Sequence, residues 1–281
     1  MIKQYKISVP KSTLNEIYKK VRNFPWSAAQ NMNGWEYGTN LNYLKSISQY
    51  WITKYDWKKF ENKINSLKNY RTKVEDINLH FIFEKSKNPN SRPLLLLHGW
   101  PGSITEFLDI IPRLAHPEKF GGKIEDGFDI IVPSLPGFGF SSQIKKALGP
   151  RKIGKILNKF MVKNLGYKNY FVQGGDWGAT IAGWIGLDSS KNCKGIHINC
   201  LPLRHPKGTK NIKEKKWEKK FNFDQIMQEG YRTQQATKPQ TLSYAMIDSP
   251  VGTAAWILEK FHGWSDLKMG KIEKTLSLIH I

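Results

Sequence analysis

Residues Tyr170–Ile181 read YFVQGGDWGATI and join a short nonpolar run to a glycine-rich turn. The run 170–172 is typical of a buried strand, and residues 179–184 have the character of a nonpolar helix. A sharp turn between a strand and a helix leaves no room for side chains, which explains glycine at positions 174 and 178. This stretch therefore predicts a strand, a tight turn and a helix.

Asp176 lies at the centre of this turn, in the G-x-nucleophile-x-G pattern, at the position where serine hydrolases carry serine. The turn would hold its carboxylate above the sheet at a helix N-terminus, where backbone N–H groups favour the ionised form. An ionised carboxylate can attack carbon and form an ester. The alternative is a structural turn in which Asp176 caps the helix. This stretch alone leaves both interpretations open.

The composition predicts a globular protein. With 281 residues, 40% of them hydrophobic, the chain can form one large domain, or a domain with an insertion, around a sizeable core. Cys193 and Cys200 indicate neither a disulfide framework nor metal-ligand spacing, so we expect no metal and no cofactor. Residues 1–10 lack the nonpolar region of a signal peptide, and no run approaches the roughly 18 nonpolar residues of a membrane span. We expect a soluble, cytoplasmic protein with no transmembrane anchor.

The formal charge of +21 raises the question of a nucleic acid or an anionic membrane as partner. The excess is mostly lysine, with only seven arginines, and it is spread along the chain. The densest run, 207–220, contains Glu214 and Glu218 at helical spacing, as expected for a solvated helix face. The charge therefore indicates a general compositional bias, and we expect no nucleic acid partner.

The first 70 residues are predicted to be helical and rich in aromatic residues. Ser12 or Thr13 would cap a first helix, and nonpolar stripes continue over residues 43–57 and 60–67. Such stripes are more often core than ligand site, so we interpret residues 1–70 as an arm packed on the main domain.

From residue 71 onward, strands and helices alternate. Residues 71–84 predict an antiparallel strand pair. Nonpolar runs then predict buried strands at 93–97, 128–132, 169–173 and 195–199, with helices at 104–114, 153–165 and 179–187 between them. This alternation predicts an α/β fold with a mostly parallel sheet and helices on both faces.

Three unusual turns follow the predicted parallel strands: 98–103, 136–142 and the turn around Asp176. Ligands of such sheets bind beyond the carboxyl ends of the strands, so these turns predict a site at that edge. After residue 200 the pattern is helical, around 221–230, 239–246 and 253–261, which predicts a cap over the site. The predicted division is an N-terminal segment 1–70, a core 71–200 and an incomplete helical cap 201–281.

Several motifs together resemble one family. HGWPGS (98–103), PSLPGFGFS (133–141), GGDWG (174–178) and TKPQTLSYAMIDSPVG (237–252) are similar to those of the microsomal-type epoxide hydrolases, a branch of the α/β-hydrolases that includes juvenile hormone epoxide hydrolases. The N-terminal stretch NLNYLKSISQYW (40–51) is similar to the N-terminal meander of that branch. The resemblance covers essentially the whole chain and implies an α/β-hydrolase fold with a helical cap.

The resemblance also implies roles for four residues. Asp176 would open an epoxide and form a hydroxyalkyl ester, and the backbone N–H groups of Trp100 and Trp177 would form the oxyanion hole. Tyr231 would donate a hydrogen bond to the epoxide oxygen from the cap. Without the resemblance, Tyr231 would be interpreted as a packed aromatic residue. The implied reaction is cofactor-free hydrolysis of a small-molecule epoxide by water to a vicinal diol.

The family pattern further implies two more core strands, a second cap tyrosine, an acidic residue and a histidine that activates water. We find no counterpart of these in the sequence, and none of its seven histidines is predicted to be the base: they are His80, His98, His116, His197, His205, His262 and His280. We therefore expect a C-terminally truncated chain in which the strand 195–199 is a nonpolar open edge, with poor solubility as the result.

Three alternatives remain. A haloalkane dehalogenase also uses aspartate followed by tryptophan, but Tyr231 and the N-terminal meander favour an epoxide. A binding protein on the same fold, catalytically incompetent without the base, is the second. A basic protein that binds nucleic acid or a membrane surface is the third, and strong salt-dependent DNA binding would be its signature.

Overall fold

The computed structural model describes residues 1–30, 32, 34–200, 208–209 and 211–275. Contacts between residues divide the chain into two units. The first unit comprises Met1–Ser8 and Asp56–Pro202, and the second comprises Val9–Tyr55 and Leu203–Ile281. The division into 1–70, 71–200 and 201–281 stays a prediction, and the two units are described separately below.

The first unit contains a seven-stranded sheet. Its strands in chain order are β1 (Lys3–Gln4), β2 (Asn69–Val74), β3 (Ile77–Glu84), β4 (Arg92–Leu97), β5 (Phe128–Pro133), β6 (Tyr170–Gly174) and β7 (Cys193–Ile198). Their order across the sheet is β1-β2-β3-β5-β4-β6-β7. Strands β5, β4, β6 and β7 are parallel, and β1, β2 and β3 pair antiparallel, β3 also with β5. The predicted antiparallel pair and mostly parallel sheet are confirmed.

Four helices of the first unit cover both faces of the sheet. They are α3 (Trp57–Asn65), α4 (Ile111–Ala115), α5 (Pro150–Lys159) and α6 (Trp177–Asp188). Successive residues of a strand point to opposite faces, and β4 follows this rule. Leu95 and Leu97 are buried in one cluster with residues of α5 and α6, whereas Leu96 is buried in another with residues of α3 and α4. A strand that is covered on both sides is nonpolar over its covered length, as β4 is from Pro93 to Leu97.

The sequence predicted one continuous helix over residues 104–114, and this prediction is wrong. The segment forms a 3-10 turn at Ile104–Phe107 and then the short α4, which has Pro112 in its first turn. Proline has no N–H to give to a preceding turn, so it starts a helix more readily than it continues one. Residues Phe160–Asn164 extend α5 as a π-helical turn.

Strand β7 lies at one end of the sheet, and in the part of the chain that the structure describes it pairs only with β6. Ile196 on this strand is 45% exposed. Strand β7 therefore has an exposed nonpolar side chain among the described residues, and the open edge expected at 195–199 stays a prediction.

The regular structure of the second unit, in the part of the chain that the structure describes, is helical. Its helices are α1 (Lys11–Arg22), α2 (Leu41–Thr53), α7 (Ile212–Gln228), α8 (Gly230–Thr237), α9 (Pro239–Asp248), α10 (Pro250–Trp264) and α11 (Ile272–Thr275), with short 3-10 turns at Trp26–Ala28 and Lys268–Gly270. The described part of residues 201–270 contains no strand, as predicted.

The core of the second unit joins distant parts of the sequence. Val21 and Leu44 are buried in one cluster with Val251 and Leu258. The side chain of Thr39 donates a 2.6 Å hydrogen bond to the carbonyl oxygen of Ala255. Residues 9–55 are thus grouped with the C-terminal helices, whereas the sequence suggested an arm on the main domain. A nonpolar stripe identifies a buried face but not the partner that buries it.

The predicted cap of α1 is also wrong. Its N-cap residue is Pro10, with no side-chain capping bond, and Ser12 and Thr13 lie inside the first turn. The φ of proline is fixed near the value of a helix. The helix can therefore begin directly after Pro10 without a capping side chain.

Candidate active site

The turn between β6 and α6 is as tight as the sequence predicted. A β carbon at Gly174 would overlap the backbone of Gly178, and one at Gly178 would overlap the carbonyl oxygen of Leu97 on β4. Between them, Asp176 has φ 49° and ψ −124°, in the region that residues with a side chain rarely adopt. Strain of this kind persists only where the surrounding structure imposes it, and it is concentrated at functional sites.

The Asp176 side chain distinguishes the two interpretations of this turn. Asp176 occupies the N-cap position of α6, yet its carboxylate makes no capping bond to that helix. Instead, Oδ1 accepts a 2.8 Å hydrogen bond from the backbone N–H of Trp100, in the turn after β4. The carboxylate is therefore directed at a neighbouring loop, and the residue is exposed. A capping role does not account for this geometry.

The turn that carries Trp100 is packed against Asp176. A β carbon at Gly99 would overlap the Asp176 side chain, so only glycine fits there. The peptide bond between Trp100 and Pro101 is cis. Because β4 and β6 are neighbouring parallel strands, with Leu97 beside Gly174, the turns that follow them meet at one edge of the sheet.

The buried side chain of His98 contacts the backbone of this turn. It is fully buried, its Nε2 accepts a 3.0 Å hydrogen bond from the N–H of Leu135, and its Nδ1 lies 3.0 Å from the carbonyl oxygen of Gly99. Nδ1 must therefore carry the proton and donate, so the ring is neutral. Burial lowers the His98 pKa, while the bond to Gly99 and the charge of Asp176 oppose that shift. His98 is thus a structural link between the turn and residue 135.

The loop 136–142 also reaches this edge, as predicted. The ring of Phe138 contacts the His98 ring edge-to-face at a centroid distance of 5.4 Å. The three turns singled out in the sequence are therefore connected through His98 and Asp176.

Trp177, the second predicted oxyanion donor, is the first residue of α6. The first N–H groups of a helix have no partner inside the helix and point out of its N-terminus. Its side chain is 50% exposed. Its position at the helix start is compatible with the predicted role, which stays a prediction.

Tyr231 belongs to the second unit and lies in the first turn of α8. Its ring contacts Trp264 edge-to-face at 5.0 Å, and Nζ of Lys260 lies 5.1 Å from its centroid. Its local surroundings are therefore aromatic and cationic, and its predicted contact with an epoxide stays a prediction.

The other histidines have varied surroundings. His80 is buried in β3, where its ring bonds to Ser134 and Asn69. His116 follows α4, within 4.0 Å of Glu84. His197 lies on β7, and His262 stacks on Trp35 at 4.0 Å. His205 and His280 lie outside the described residues.

One acidic residue near Asp176 was missed in the sequence. Glu106 lies in the 3-10 turn after HGWPGS, and the charge of Asp176 acts on its carboxyl group. No motif marked it, because its proximity to Asp176 arises only when β4 and β6 pair.

Two shallow cavities, of about 340 and 510 Å³, both lie in the second unit. Neither is lined by Asp176 or Tyr231. Among the described residues there is no cluster of three or more histidine, cysteine or acidic side chains that could bind a metal. No helix in the described ranges has the length and nonpolar character needed to cross a membrane.

Comparison with known proteins identifies the family. The model for the epoxide hydrolase N terminus matches residues 2–107, and the model for the alpha/beta hydrolase fold matches residues 92–266. Epoxide hydrolase 1 of Oryctolagus cuniculus is 35% identical over 305 residues, which cover 99% of this chain and 67% of that protein. The chain belongs to the epoxide hydrolase family.

Other relatives agree with this assignment. A putative epoxide hydrolase of Stigmatella aurantiaca is 39% identical over 280 residues, and the match spans 63% of that protein's length. The crystal structure of the juvenile hormone epoxide hydrolase from Bombyx mori is similar with a TM-score of 0.84 and 30% identity, covering 95% of this chain and 67% of that one. The Aspergillus niger epoxide hydrolase structure gives a TM-score of 0.84 at 26% identity. The predicted α/β-hydrolase fold and the resemblance to epoxide hydrolases are confirmed.

Proposed function

We propose that this chain acts on epoxides through a covalent ester on Asp176, as an epoxide hydrolase that yields a vicinal diol. The observation that carries the proposal is the Asp176 carboxylate, held in a strained turn with Oδ1 hydrogen-bonded to the Trp100 N–H. Membership of the epoxide hydrolase family supports the substrate class.

The proposed chemistry uses the two carboxylate oxygens differently. Oδ1 accepts the hydrogen bond from Trp100, so Oδ2 would attack an epoxide carbon. The bond between that carbon and the epoxide oxygen would break, and its electrons would pass to the oxygen. The phenol of Tyr231 would donate a hydrogen bond to that oxygen as charge develops.

Water would then hydrolyse the ester, releasing the diol and the free carboxylate. Oδ1 would be the ester carbonyl oxygen, already bonded to the Trp100 N–H, and the Trp177 N–H would be the second donor for the oxyanion. We assign no described residue as the base that activates this water.

The first test is to incubate the chain with an epoxide of the styrene oxide type and to analyse the Asp176 peptide by mass spectrometry. We expect an adduct equal to the mass of the epoxide, or diol in solution if the ester is hydrolysed. Asp176→Asn should reduce ester formation by about 1,000-fold or more. Asp188→Asn is a matched control, since Asp188 lies at the far end of α6 and pairs with Arg151.

Two further reactions separate the alternatives. Tyr231→Phe should slow ester formation by about 100-fold. A haloalkane of similar size should form no ester; if it reacts and the epoxide does not, the chain is a dehalogenase. If neither reagent labels Asp176 and no diol forms from the epoxide, the proposal fails in favour of a catalytically incompetent binding protein.

A further inference from the structure

Glu106 lies where its side chain can fill the inside of the Trp100 turn. It belongs to the 3-10 turn Ile104–Phe107, which directly follows that turn in the first unit. The backbone N–H groups of Gly99 and Ser103 act on its carboxyl group and favour the ionised form. A β carbon at Gly102 would overlap Oε1 of Glu106, so the carboxyl group fills the space inside the turn. Residues 99–103 therefore fold around this one side chain.

The same carboxyl group interacts electrostatically with Asp176. Crowding by protein atoms, and then the negative charge of Asp176, raise the Glu106 pKa from 4.5 to about 7, while the N–H groups of Gly99 and Ser103 oppose the shift. The residue as a whole is exposed, so water reaches its outer side although protein surrounds the carboxyl group. Water at an exposed carboxyl group weakens the repulsion by Asp176 but does not reverse it, so the Glu106 pKa is shifted upward.

We propose that Glu106 is a positioning residue for Asp176: its carboxyl group, packed against Gly102 inside the 99–103 turn, directs the Trp100 N–H at Oδ1. The inference rests on the proposed function, because positioning matters for the reaction only if Asp176 is the nucleophile. Glu106 itself touches no reacting atom in this scheme. Loss of its side chain would free the turn that carries the donor.

Glu106 also makes the reaction sensitive to pH. The ionisable group that acts on it is Asp176, while Asp109, three residues further along the chain, pairs with Lys63. Ester formation removes the negative charge of Asp176. An ionised Glu106 therefore favours the ester, because the repulsion between the two carboxylates is relieved. We expect ester formation to quicken about three- to tenfold as the pH rises through 7.

The experiment compares Glu106→Ala, Glu106→Gln and the control Asp109→Asn in the full chain. Two readouts are used: the rate of Asp176 labelling by the epoxide between pH 5.5 and 8.5, and the Trp100 amide resonance in a ¹⁵N NMR spectrum. Glu106→Ala should displace that resonance and slow labelling by about 10- to 100-fold. Glu106→Gln keeps the acceptor oxygen, so it should restore most of the rate but abolish the rise around pH 7. Asp109→Asn should match the wild type in both.

The outcomes separate this inference from the proposed function. If the wild type is not labelled and forms no diol, the proposed function fails, and displacement of the Trp100 resonance by Glu106→Ala alone still supports the positioning role. If Glu106→Ala does not fold, the pH profile of Glu106→Gln decides: a flat profile supports the role, and a wild-type profile overturns it. An unmoved Trp100 resonance in Glu106→Ala, or an equal shift in Asp109→Asn, also overturns it.

Discussion

The carbonyl oxygen of Leu97 occupies the space that a side chain at position 178 would need. Helix α6 therefore rests directly on the end of β4 as well as following β6. The position of Asp176 is set by both strands, and through β4 it is tied to the turn that carries Trp100.

Gly178→Ala should separate α6 from β4. The new methyl group would overlap the backbone of Leu97, so we expect a loss of about 1–3 kcal/mol in the free energy of unfolding and a weakened Trp100–Asp176 bond. Urea unfolding and Asp176 labelling measure the two effects. Gly183→Ala is the matched control, because it lies in the same helix with nothing within 4 Å of its added carbon. It should stabilise the chain by about 0.5–1 kcal/mol. Equal effects at the two positions would contradict the packing argument.

Stability should fall on acidification because His80 is buried in its neutral form. Burial, and then the charge of Arg71, lower its pKa from 6.5 to about 3. Between these values the unfolded chain binds a proton that the folded chain does not, so the free energy of unfolding decreases as pH falls below 6.5. The slope is at most about 1.4 kcal/mol per pH unit for this residue.

Denaturation between pH 4 and 8 measures this slope. His98, whose pKa is also lowered, contributes in the same direction. His80→Asn should be less stable at pH 7 but should show a smaller loss between pH 6.5 and pH 4. An unchanged slope in that variant would show that other groups control acid stability.

Leu258→Ala should loosen the second unit selectively. Leu258 is 1% exposed and packs with residues of α1 and α2, so its truncation should cost about 2–5 kcal/mol. Hydrogen exchange should then speed up in residues 9–55 and 211–275 and change little in the strands. Leu187→Ala, at a position that is 70% exposed, is the control and should have almost no effect. Uniform acceleration across the chain would show that the two units unfold together.

Ile196→Lys should improve solubility. Ile196 is exposed on β7, the end strand of the described sheet, and a lysine there opposes pairing with another chain. Ile110→Lys is the control, because Ile110 is 44% exposed outside any strand. Size-exclusion chromatography should show less aggregate for the first variant only. A monodisperse, cooperatively unfolding wild type would contradict the expected aggregation.

The sequence was sufficient for elements with a strong local signal. The strands at 93–97, 128–132 and 169–173 were found because each contains a nonpolar run, as expected of a strand in the middle of a parallel sheet. The Asp176 turn was found because its close contacts require glycine at 174 and 178. The direction of the Asp176 side chain was not predictable, since it depends on Trp100, which lies 76 residues away in sequence.

The features that were missed depend on long-range contacts. Glu106 belongs to no motif, and only the folded turn 99–103 brings two backbone N–H groups to act on its carboxyl group. Residues 1–70 were predicted to be a packed arm, but the nonpolar stripes in this segment do not show that α1 and α2 pack against α10. Element boundaries, such as the start of α1 directly after Pro10, depend on backbone angles that several types of residue can adopt.

The bond between Thr39 and Ala255 joins residues 216 positions apart. A ribosome that adds about 5–20 residues per second would need about 10–40 s to cover that distance. For that time the nonpolar faces of α1 and α2 would be outside the ribosome without the helix that covers them. Newly made chains would therefore expose these nonpolar faces until α10 has been synthesised, and a slower ribosome would lengthen that exposure.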